Sequence, residues 1–233
     1  MGLAAGSPAR ESPNPALAVP LPELRETAAM TGNPPSISDA VGNRLPSVRF
    51  IQHPAPLLAL LGALSGIMST FVPGSAIEGL PASLGLFMVL AGVWFGLVVA
   101  FGVWRFAAGS LAAVVAVMAT AWIAWEVAVN LAMQISEYTL KITALPDTPR
   151  YYLAGLVAGA VGAALTWAGA ALFVATLRTR TRAASITAVG AALGLLLPWS
   201  MSADYPAILF VPWQMGVAAT LGVFLGRERG LLG

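Results

Sequence analysis

The sequence predicts an all-α polytopic membrane helix bundle with about six transmembrane helices and a largely disordered N-terminal arm. Three observations carry this. Hydrophobic residues make up 58% of the 233 and charged residues only 9%, whereas a soluble domain carries about a quarter charged residues. Long apolar runs recur from residue 51 to the end, each near the roughly 20 residues a helix needs to cross a hydrocarbon core. Those runs are continuous and do not alternate as barrel strands do, so helices are expected.

Residues 1–50 form a separate cytoplasmic arm, with eight prolines and no sustained apolar run. Such a segment cannot bury enough apolar surface to offset the entropy of ordering, and 1–36 reads as disordered apart from one short helical turn near Leu24–Met30. The arm lacks a charged start followed by an apolar core, so it does not read as a signal peptide. Gly6 stands where N-myristoylation needs Ser or Thr. Over 37–53, Ile37, Val41, Leu45 and Val48 give one weak apolar face. An interfacial helix and, because of Pro46, a plain linker are both open readings.

The transmembrane domain, 51–233, divides into spans at 55–72, 82–104, 107–135, 151–177, 183–200 and 206–226. The first and fifth are short. The third exceeds what a crossing needs, so it tilts or projects from the bilayer.

Arginine and lysine in short loops set the orientation. With the N-terminus inside, the inner side holds Arg44, Arg49, Arg105, Arg178, Arg180, Arg182, Arg227 and Arg229, against Lys141 and Arg150 outside. Both termini are therefore expected in the cytoplasm. Tyr138, Tyr151, Tyr152 and Tyr205 all fall at outer ends, where an interfacial ring prefers to sit. Eleven of the twelve basic residues are arginine, which suggests a GC-rich bacterial genome and hence the bacterial inner membrane.

The stretches Pro73–Ala82 and Pro198–Ala207 share prolines eight apart, a serine, an acid and a closing Pro-Ala. Duplicated hairpins of the transporter kind and chance recurrence in short loops both account for this. Gly62/Gly66, Gly155/Gly159 and Gly190/Gly194 each form Gly-x-x-x-Gly, which lets helix backbones approach closely in lipid. Packing within one bundle is the plainer use. A homo-oligomer or a larger membrane complex joined through these faces, with helix four the favoured dimer face, is the sharper one.

Glu126 is the foremost ionisable residue. Glu126, Asn130 and Gln134 are spaced i, i+4, i+8 and share a helix face. Carboxylates within membranes are costly and often functional. The 21 residues from Arg105 to Glu126 span about 31 Å of helix, which puts Glu126 at the outer boundary of an untilted span. It then serves either as a water-exposed interfacial carboxylate or as the floor of an outward-facing pocket. Trp122, Trp125, Trp199 and Trp213 lie in the same outer third, as a pocket lining suited to a cation or as an interfacial belt. Pro212 removes a helix hydrogen bond and leaves the Ile208 carbonyl open, for water, protein or a ligand to satisfy, with Gln214 as a further candidate. The candidate ligand-binding set is thus Glu126, Asn130, Gln134, Trp122, Trp125, Trp199, Trp213 and Gln214.

Several chemistries lack their residues. Cysteine is absent and histidine occurs once, as His53, so thiolate metal sites and paired-histidine haem ligation are excluded, and no metal or catalytic site is assigned. No span contains lysine, which excludes a retinal Schiff base. The Arg178/Arg180/Arg182 cluster reads as a topology anchor with capacity for anionic headgroups. The functional expectation is a small-solute or cation transporter or channel with an outward Trp/Glu pocket. The alternative is a non-catalytic structural or assembly subunit of a membrane complex. A lipid- or isoprenoid-directed enzyme is the least supported.

Overall fold

The computed structural model describes residues 53–71, 89–107, 109–140 and 145–228. The N-terminal arm, the Pro73–Pro81 stretch and Lys141 lie outside the described residues. Among those described, every regular element is helical: α1 (Pro54–Phe71), α2 (Val89–Ala107), α3 (Leu111–Met133), α4 (Asp147–Phe173), α5 (Arg180–Gly194), α6 (Leu197–Ser202) and α7 (Ala207–Glu228), with a π-helical extension of α3 at Gln134–Thr139 and a 3₁₀ turn at Ala175–Leu177. Five continuous helical stretches are long and apolar enough to cross a membrane. The described apolar stretch of α2, Ala91–Ala107, is shorter. The chain is an integral membrane helix bundle.

Local chemistry explains where the helices depart from the expected spans. The third begins at Leu111 because the Ser110 hydroxyl accepts the Ala113 N–H and caps it. It runs on past Met133 because Leu140 N–H bonds Ile135 O, a wider turn that keeps the ladder intact. The fourth starts a turn early, with Asp147 in its first turn, where a carboxylate complements the helix dipole. The fifth is one 23-residue stretch, Arg180–Ser202, bent at Leu195–Leu196, whose N–H groups reach back only three residues. Pro198 causes the bend: its ring excludes the carbonyl four residues earlier.

Successive long helices, and α1 with α7, run antiparallel. α7 packs along α1, α4 along α5, and α3 between α2 and α4. Small residues set the closest approaches. A Cβ at Gly155 would collide with the carbonyl of Gly194, and one at Gly190 with the carbonyl of Gly159; the reciprocal collisions hold too. Gly62 and Gly66 of α1 lie against the α7 backbone at Gln214 and Phe210–Val211. All six glycines of the Gly-x-x-x-Gly pairs are buried against helices of the same chain. Intrachain helices are thus the nearest neighbours of these glycines, as packing within one bundle requires.

One end of the bundle gathers Arg105, Arg178, Arg180 and Arg182. The other gathers Tyr138, Tyr151, Tyr152, Tyr205, Asp147 and Asp204. At the arginine end the side chains do structural work. Arg178 donates to the carbonyls of Ala171 (2.8 Å) and Leu172 (2.7 Å), and Arg182 donates to that of Thr176. These are the carbonyls that a helix leaves open at its C-terminus.

Candidate functional site

The interior at mid-bundle is aromatic. Phe95 of α2 lies 5.4 Å from Trp213 of α7, and Trp125 of α3 meets Phe210 at 5.0 Å and Trp213 at 6.0 Å, both edge-on, the offset geometry that ring quadrupoles prefer. Trp213 is held in place: its Nε1 donates to Gly190 O at 3.2 Å. That bond requires α5 and α7 to meet at a residue without a side chain.

Above this floor, toward the tyrosine end, lies an apolar cleft of about 70 Å³. Trp125, Ala128, Val129 and Ala132 of α3 form one wall, and Leu209, Phe210 and Trp213 of α7 another. Gly155, Ala158, Gly159, Gly194 and Leu197 close it. The bend before α6 sets Leu197 at its rim. A cavity of about 150 Å³ holds benzene, so this cleft takes a short alkyl group or the end of a longer chain.

Six of the eight residues singled out from the sequence fall in four places. Trp125 and Trp213 line the cleft. Trp122 and Glu126 are not among its lining residues, and the Cδ1 atoms of both Trp122 and Trp125 lie against Gly92 of α2. Glu126 is only 7% exposed. The Trp122 indole, one turn earlier, is the side chain that approaches the carboxyl as a hydrogen-bond donor. Gln214 is fully buried at the α1–α7 seam, where its Nε2 donates to Ser69 Oγ at 3.1 Å. Its side chain is thus committed across the seam and does not satisfy the Ile208 carbonyl. Trp199 is 51% exposed and meets Tyr152 edge-on at 5.5 Å.

Comparison with known protein families, curated proteins and solved structures gives no match.

Two expectations about Glu126 change. The depth count treated Arg105 to Glu126 as one rise, but α3 starts anew at Leu111, so Glu126 is about 22 Å along it. That is near the middle of the continuous 29-residue stretch Leu111–Thr139. It is also buried, which removes the water-exposed reading. The polar stripe behaves differently from a pocket wall for a geometric reason. Each four-residue step turns about 40° around the helix. Asn130 is half-buried and spends its Nδ2 on the Glu126 backbone carbonyl at 2.8 Å. Gln134, a further step on, is exposed.

The sequence reading missed Ala128, Val129, Ala132, Leu209 and Phe210, which make the cleft. Apolar lining residues carry no polar signal, and they resemble lipid-facing residues until neighbouring helices are placed. Ser65 and Ser69, buried on α1, were legible as polar residues inside a span.

Proposed function

We propose that this chain is a multi-pass protein of the bacterial cytoplasmic membrane, with both termini inside, that binds and carries a solute with an apolar end through the cleft near its tyrosine-rich side. The observation that supports this reading is the cleft itself, floored by Trp125 and Trp213 and lined by apolar side chains. Its chemistry suits an alkyl, acyl or isoprenoid terminus rather than a cation. The Glu126 carboxyl, which a cation would need, is not among its lining residues. A solute of this kind needs no polar path through the bundle, so the scarcity of polar side chains does not count against carriage. The clustered arginines support the inward placement of the opposite end.

Native mass spectrometry of the full chain extracted in mild detergent tests the proposal. The expected result is a retained small molecule with an apolar end, lost in Ala132→Phe, where the added ring fills the mouth of the cleft. Equal retention by both forms overturns it. A preparation holding only a stoichiometric protein partner supports the assembly-subunit reading instead.

A further inference from the structure

A groove of about 250 Å³ runs between α3 and α4 and shares no lining residue with the cleft. Its floor is where the two helices touch: Gly169 is buried, and a Cβ there would collide with the Thr120 hydroxyl. Ile123 of α3 and Leu165 and Leu172 of α4 stand exposed at its edges, so it opens on the outer surface of the bundle. The Thr120 hydroxyl donates to Val117 O at 3.0 Å within its own helix. The groove therefore makes no polar demand on what fills it.

Length and charge indicate the occupant. From Leu165 to Leu172 is about 10 Å of helix, a third of a hydrocarbon core about 30 Å thick. Leu172 lies in the last turn of α4, at the arginine end, so the groove belongs to one leaflet. A membrane-crossing helix of a second copy needs a face as deep as the bilayer. An acyl chain of the arginine-side leaflet needs only its own half.

Arg178 stands at that same end. Its Nε and Nη2 donate to the carbonyls of Ala171 and Leu172, which holds a positive charge beside a residue that lines the groove. A guanidinium carries five N–H donors, and these bonds use two of them. Its planar fork suits a phosphate. Arg182, by contrast, is turned into the bundle, where it donates to Thr176 O and lies over the Phe224 ring at 5.6 Å.

We propose that the α3–α4 groove and Arg178 form a binding site for one anionic phospholipid. An acyl chain lies along the groove, and the phosphate rests on the Arg178 guanidinium. The inference stands independently of what the cleft carries.

Native mass spectrometry tests it, on the full chain released from nanodiscs of equal phosphatidylglycerol and phosphatidylcholine with matched acyl chains. One phosphatidylglycerol is expected to stay bound, several-fold in excess over phosphatidylcholine. Arg178→Gln keeps a donor for the α4 carbonyls but removes the charge, and is expected to abolish the preference. Ala168→Phe sets a ring in the groove from a half-buried position and is expected to lower retention of both lipids several-fold. Ala132→Phe in the cleft and Leu60→Phe on an exposed face of α1 are expected to match the wild type. Equal retention of the two lipids by the wild-type chain overturns the proposal, whatever the variants do. Loss in Ala132→Phe without loss in Ala168→Phe places the lipid in the cleft and overturns it too.

Discussion

Gly194→Ala probes the seam between α4 and α5. The added methyl would overlap the Gly155 carbonyl and press on its carbon at 2.8 Å and on Gly159 Cα at 3.2 Å. These are backbone atoms, which cannot swing aside as a side-chain end would, so the two helices must separate. Overpacking of this kind costs about 1–3 kcal/mol, roughly a fivefold to 150-fold loss in the folding equilibrium at about 1.4 kcal/mol per tenfold. Separation also moves Gly190, and with it the carbonyl that anchors Trp213. The assay is reversible unfolding of the chain in mixed micelles of mild detergent and dodecyl sulfate, followed by circular dichroism. Ala188→Leu, on an exposed position of the same helix, is the control and should stay within about 0.5 kcal/mol. A Gly194→Ala protein as stable as the control refutes the reasoning. So does one that loses an oligomer while its protomer stability is unchanged, because the glycines would then serve an interface between chains.

Three further outcomes follow from named contacts. Trp213→Phe keeps the ring contacts but leaves Gly190 O without its side-chain donor, and should destabilise by about 1 kcal/mol in the same assay; no change would remove the anchoring role. Arg178→Ala withdraws two donors from the end of α4, and hydrogen exchange at the last turn of that helix should quicken, whereas Arg180→Ala, at an exposed neighbouring position, should leave it unaltered. The chain has no native cysteine, so single cysteines report sidedness: in intact cells a membrane-impermeant maleimide should label Ala203→Cys and spare Thr181→Cys, and the reverse pattern would invert the proposed topology.

Much of the architecture was legible in residue order. The apolar runs fall on helices among the described residues, and several helix ends trace to capping and proline chemistry at Ser110, Asp147 and Pro198. The candidate site was less legible. Glu126 and Trp125 are adjacent in sequence, yet a rotation of about 100° per residue sends Trp125 to the cleft and leaves Glu126 out of its lining. A regular i, i+4 stripe likewise drifts off any fixed wall, which is why Gln134 ends on the surface.

What the sequence alone determined is the solvent and the polarity of the bundle. Composition demands lipid, and arginine at one end with tyrosine and acid at the other follows from loop residues read one at a time. These properties are sums over local segments, so no knowledge of neighbours is needed. The tertiary structure decided which surfaces face each other: the glycine pairs meet within the chain, Trp213 finds Gly190, and Glu126 is enclosed. Each depends on residues far apart in the chain arriving at the same height and angle, and every apolar helix face looks alike until its neighbour is in place.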